Sequence, residues 1–254
     1  VTGVPDFWAD CVHQSPPANL SGALIRICDS QGHVATSRLV DDLGEQAVLE
    51  SLLETVAPPQ ERSVAGLHPL LAAPFSYPPL RHGSRFGTRL EPSLFYGALA
   101  VETVLAEAAY YRFVFFRGMT EPPPSGRLRS QHTVFGVGYR TRQGLRLQTP
   151  PWSQHAAAVA SPVDYRVSQR LGAALRAGGV QAFEYPSARD PRGGINVALF
   201  TPAALAAARP RFQQAWLCET LKTTVRYAGA HPAVSHAFAL ADFLVGGALP
   251  EPAT

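Results

Sequence analysis

The chain has 254 residues, of which 46% are hydrophobic and 16% charged, and its net charge is +3. This length and apolar fraction suffice for one large domain or two small ones and exclude a chain disordered by composition. Its basic side chains are scattered arginines, with Lys222 the single lysine. The basic runs that grip nucleic acid are therefore missing, and direct nucleic-acid binding is not expected; isolated guanidinium forks suit a few anion contacts instead.

Residues 1–20, rich in proline, read as an irregular arm, and Leu24-Ile25-Arg26-Ile27 as a short strand. The arm carries Asp6 and Asp10 but neither the charged nor the apolar region of a secretory leader. No apolar run reaches the roughly 18 residues needed to cross a membrane. Cys11, Cys28 and Cys218 are widely spaced and form no CxxC, so they read as reduced thiols of a cytoplasmic protein, without zinc or disulfides.

Residues 41–57 predict a helix with Leu49, Leu52, Leu53 and Val56 on one face, stopped by Pro58-Pro59. The prolines of 73–80 exclude regular structure there, and Gly83 and Gly87 bracket Arg85 in a sharp bend. Leu94-Phe95-Tyr96 predicts a strand, 100–112 a helix, 113–116 a strand and 120–130 a loop. Residues 131–139 and 144–149 read as a hairpin around Arg142-Gln143-Gly144. A helix over 164–177 ends at Gly178-Gly179, and strands over 180–185 and 195–200 flank a loop. A short helix over 203–208, a strand or mixed segment over 212–227 and a loose tail over 247–254 complete the order. The fold class is α+β: short strands with peripheral helices in a single domain. Its divisions are an N-terminal arm (1–23), a domain with an N-terminal helical extension (24–246) and the tail (247–254).

Familiar signatures are missing: GxGxxG, the P-loop, HExxH and GxSxG. The histidines show no metal-ligand spacing, so no metal site is assigned. What remains is Arg85, Tyr96 and Glu107, spaced so that a turn, a strand and a helix can converge on one cleft, with Ser187 far downstream. Taken singly, each has a structural reading. Glu107 can pair with Arg112 or reach solvent, Arg85 can lie on the surface, Tyr96 can pack as a strand aromatic, and Ser187 can cap a turn.

Taken together, five separated segments resemble the RES-domain family: Gly83-Ser84-Arg85-Phe86, Phe95-Tyr96-Gly97, Leu105-Ala106-Glu107, Tyr185-Pro186-Ser187-Ala188 and Ile195-Asn196-Val197-Ala198-Leu199-Phe200-Thr201-Pro202. The likeness runs over roughly residues 24–205. At the first motif the family often has Gly-Gly-Arg-Trp-Asn, where this chain has Ser84, Phe86 and Gly87. The resemblance implies a fold like that of ADP-ribosyltransferases. It implies a bacterial toxin that consumes NAD+ as substrate by cleaving the nicotinamide–ribose bond, with no prosthetic group. It further implies a partner antitoxin of the Xre helix-turn-helix type, and it leaves homo-oligomerisation open. In such a reaction Glu107 stabilises an oxocarbenium-like transition state. Arg85, with Arg81 second, holds the pyrophosphate. Tyr96 or Phe86 stacks on the nicotinamide, and Ser187 and Asn196 complete the binding set. Two alternatives stay open: mono-ADP-ribosylation of a host protein, and a non-catalytic nucleotide-binding module on the same fold.

Overall fold

The computed structural model describes residues 7–30, 64–79, 81–121, 123–229 and 233–251. The helix expected over 41–57 lies outside them. The elements in chain order are α1 (Phe7–Gln14), β1 (Ala18–Asp29), α2 (Pro69–Ser76), β2 (Phe95–Ala98), α3 (Val101–Arg117), β3 (Arg127–Arg146), α4 (Ala156–Val159), α5 (Arg166–Ala177), β4 (Ala182–Pro186), β5 (Ile195–Leu199), β6 (Phe212–Leu221), β7 (Thr224–Gly229) and β8 (Val234–Ala239). The α+β class is as expected.

The strands form one sheet in the order β1-β2-β5-β4-β3-β6-β7-β8, with β1 also paired to β3. That extra pairing closes β1, β2, β5, β4 and β3 into a ring, and β6 to β8 continue from β3 as an antiparallel wing. Each strand of the ring places a residue in its interior: Leu20 and Leu24, Phe95, Phe135 and Val137, Ala182, and Val197 and Leu199. The alternate residues of β4 and β5, namely Phe183, Tyr185 and Ala198, face outward into a second core with α1 and α5. This period-two split is what a strand buried on both faces requires. Helix α3 packs on the wing through Leu105, Ala109 and Phe113, against Trp216, Val225 and Phe238.

Six expectations from the sequence are corrected. Residues 73–76, where regular structure is not expected, complete α2 with Pro74 inside the helix. Residues 7–14 are helical and β1 begins at Ala18, because Trp8 and Val12 bury against α5 and Trp152. Residues 113–116 continue α3 instead of forming a strand; Phe113 and Phe116 fall on its buried face in line with Ala106 and Ala109. The hairpin around residue 142 is a bulge inside the single long strand β3. The register with β1 slips between Ala18↔Gly144 and Leu20↔Thr141, which accommodates one extra residue. Beyond it β3 leaves β1 and runs parallel to β4. A Cβ on Gly144 would stand 2.1 Å from Leu20 Cβ, so glycine is required at this close approach. Finally, the tail from residue 247 is docked as far as Pro250: Leu249 is buried and Tyr110 donates to Pro250 O at 2.6 Å. The short helix expected over 203–208 is a 3₁₀ turn over Pro202–Ala204 only.

Candidate active site

The site gathers where β2 and β4 end and β5 and α3 begin. Asn196 of β5 pairs with Ala98 of β2 and Tyr185 of β4, so it lies between two strand ends that each feed a functional segment. Three residues after β2, α3 starts and carries Glu107; one residue after β4 comes Ser187.

These three side chains meet. Ser187 Oγ donates to Glu107 Oε1 at 2.6 Å, and Asn196 Nδ2 donates to the same oxygen at 2.6 Å. Asn196 is buried, whereas Glu107 and Ser187 are half-buried. Among the described residues Glu107 Oε2 receives no hydrogen bond. The carboxylate is thus gripped by one oxygen and open at the other. Ser187 is itself fixed, because its Oγ accepts from the backbone N–H of Arg189 at 3.1 Å and of Asp190 at 3.0 Å. Asp190 ties the same loop to α3 through Thr103 Oγ1 at 2.8 Å. Burial raises the Asp190 carboxyl, but hydrogen bonds from Arg192 and Thr103 outweigh that and hold it below the usual range. Thr103 and Glu107, one helical turn apart, therefore clamp opposite ends of the Ser187–Asp190 turn. Arg112, the partner that a structural reading of Glu107 would require, instead donates to Thr220 and lies over Phe115.

Arg85 sits in a turn closed by Ser84 N–H donating to Gly87 O at 2.7 Å. Helix α5 secures this turn: Gln169 Nε2 donates to the carbonyls of His82 and Ser84. A Cβ on Gly172 would stand 2.0 Å from Phe86 O, so this approach also needs glycine. Arg85 is buried, donates from Nη1 to Ser161 O at 2.7 Å, and covers the Tyr165 ring at 4.5 Å. Its charge acts on Tyr185 and Tyr110 together with that of Glu107, which places Arg85 and Glu107 in one electrostatic neighbourhood. Burial pushes the Tyr110 hydroxyl up to about 12 although Arg189 opposes the shift.

Tyr96 has a different position from a stacking platform. Its hydroxyl bonds Ser84 Oγ at 2.9 Å and accepts from Phe86 N–H at 3.1 Å, so it holds the Arg85 turn. Burial raises it to about 12 against these hydrogen bonds, and it is a neutral phenol. Phe86 is fully buried, edge-on to Phe183 and Tyr185; it anchors the turn from below and offers no face for a ligand, contrary to the expected stacking. The serine at position 84 and the phenylalanine at position 86, which depart from the common family pattern, are both used within the turn. Arg81 is exposed at the head of the turn and, among the described residues, makes no hydrogen bond. Tyr96→Phe should strand the Phe86 N–H, costing about 1–3 kcal/mol. Denaturant unfolding checks this, and an unchanged stability would show that the turn does not need the hydroxyl.

Sequence reasoning missed Tyr110, Tyr165, Arg189 and Asp190. Tyr110 lies three residues beyond Glu107, within one helical turn, and Arg189 lies two beyond Ser187. Those spacings were the available signals; Tyr165 had none.

Residues 60–220 match the model of the RES domain family. No curated protein matches the chain. Among solved structures, the chain is similar to one in the M. tuberculosis MbcT-MbcA toxin-antitoxin complex, at 12% identity and a TM-score of 0.47, covering 81% of this chain and 90% of that one.

Proposed function

The chain belongs to the RES-domain family, and on that premise we propose that it is an NAD+-consuming toxin that cleaves the bond between nicotinamide and ribose. The observation that carries the reading is the divided carboxylate of Glu107. Ser187 and Asn196 converge on Oε1, which leaves Oε2 to meet a ribose hydroxyl and the positive charge that develops at C1′. Nicotinamide departs neutral, so no general acid is needed. The demand is for a preorganised negative charge beside an oxocarbenium-like transition state. Asn196 and Ser187 supply that preorganisation, since neither has to move as charge develops. Arg85 suits the pyrophosphate, because it is buried with no carboxylate partner among the described residues, and such a guanidinium is costly until an anion joins it. NAD+ serves as substrate. The natural counterpart would be an Xre-type helix-turn-helix antitoxin that covers this cleft.

Incubation of the protein with NAD+, with and without phosphate, tests the reading by following nicotinamide. Release is expected, and its absence overturns the proposal. Free ADP-ribose identifies water as acceptor, ADP-ribose-1″-phosphate identifies phosphate, and labelled protein identifies a transferase. Tight NAD+ binding without release would instead mark a nucleotide-binding module.

A further inference from the structure

Two guanidinium groups converge on the loop between α4 and α5. Arg85 Nη1 donates to Ser161 O at 2.7 Å, and Arg189 Nη2 donates to Pro162 O at 2.8 Å. The two carbonyls belong to consecutive residues, whose Cα atoms are about 3.8 Å apart. Both side chains are deeply buried, with 8% of Arg85 and 4% of Arg189 exposed. Each lies on an aromatic ring, Arg85 over Tyr165 at 4.5 Å and Arg189 over Tyr110 at 3.5 Å.

Neither has an ion-pair partner among the described residues. The acid adjacent in sequence, Asp190, is committed elsewhere, to Arg192 at 3.0 Å and to Thr103. Both buried guanidinium groups direct their hydrogen bonds to neutral carbonyls, and among the described residues no carboxylate meets either of them directly. Each guanidinium has five N–H donors, and only a minority are used here. A multiply charged anion held by both would balance their charge and take up the remaining donors.

We infer that Arg85 and Arg189 together form a diphosphate clamp, one fork for each phosphoryl group, so that the ligand is a diphosphate-linked nucleotide and not a mononucleotide. This rests on the NAD+ reading and deepens it. Two successive phosphoryl groups match two forks set on successive carbonyls. Arg189 also belongs to the turn that fixes Ser187, since its backbone N–H donates to Ser187 Oγ at 3.1 Å. The clamp is therefore continuous with the Glu107 site, and a ribose attached to the diphosphate falls beside that carboxylate.

Calorimetric titration of the full chain with ADP and with AMP tests the clamp. The wild type should bind ADP about tenfold more tightly than AMP, as expected for one added charge-assisted contact. Arg189→Gln should abolish the preference for ADP over AMP, whereas general damage to the site would weaken both ligands alike and leave their ratio near tenfold. Arg189→Lys keeps the charge without the fork and should retain only part of the preference; it serves as the second variant if the glutamine protein does not fold. No preference in the wild type, or an unchanged preference in either variant, overturns the clamp. Preferential ADP binding that depends on Arg189, in a protein that releases no nicotinamide from NAD+, upholds the clamp and overturns only the enzymatic reading.

Discussion

Replacing Glu107 by glutamine should lower nicotinamide release by about 10²–10³-fold with little change in melting temperature. The substitution is close to isosteric, and its effect can be assigned to one atom. The glutamine carbonyl oxygen can take the place of Oε1 and accept from both Ser187 and Asn196. The reverse orientation would set two amide N–H groups against each other, so the network selects the first. The amide NH₂ then stands where Oε2 was, and the negative charge facing the transition state is gone. Glu107→Ala should behave differently. It deletes the acceptor, strands the Ser187 hydroxyl and the buried Asn196 amide, and costs about 1–3 kcal/mol for each group. Nicotinamide release paired with thermal unfolding separates the two variants. Wild-type turnover in the glutamine protein would remove Glu107 from the mechanism.

How much of this site the sequence discloses depends on the range of the interaction. The 3.6-residue pattern correctly sets Glu107 on a helix, and the short strands bearing Tyr96 and Asn196 also appear as expected. No local pattern reports that Ser187 and Asn196, 80 and 89 residues away, share one oxygen of that carboxylate. Only the joint order of the five motifs points there. The misread elements have local causes. Phe113-Val114-Phe115-Phe116 has high strand propensity, yet burial of Phe113 and Phe116 along one helical face decides its state. Arg142-Gln143-Gly144 has the composition of a turn, but a long strand that changes partner uses the same composition for a bulge. Phe86 has the right character for a nicotinamide platform, and only tertiary packing shows both its faces enclosed. Arg189 has no ion-pair partner among the described residues; its significance lies in where Asp190 turns instead.

Asn196→Asp should make both stability and turnover depend on pH. In the wild type Asn196 offers Glu107 a hydrogen bond without a second negative charge. The substitution places a carboxylate oxygen where the donor nitrogen stood, 2.6 Å from Glu107 Oε1 and at a buried position. Two carboxylates at that distance cannot both ionise cheaply, so the pair retains one proton and one of its pKa values is raised. The sign follows from linkage. Below the ordinary carboxylate pKa of about 4, both groups are protonated in the folded and unfolded chains, and the repulsion is absent. As pH rises from there through the raised folded value, the unfolded chain loses protons that the folded chain keeps, and stability falls. Above that value the deficit is complete. The deficit should be on the order of a few kcal/mol, as for a buried charge left without a partner. Thermal unfolding of variant and wild type should therefore show a gap that is small in mild acid and large at slightly alkaline pH. Turnover should fall as well, because a proton shared with Asp at position 196 competes for the charge that faces the ribose. A stability gap that does not change with pH would mean that the two side chains are not in direct contact, and it would dissolve the Glu107–Asn196 pairing on which the divided carboxylate depends.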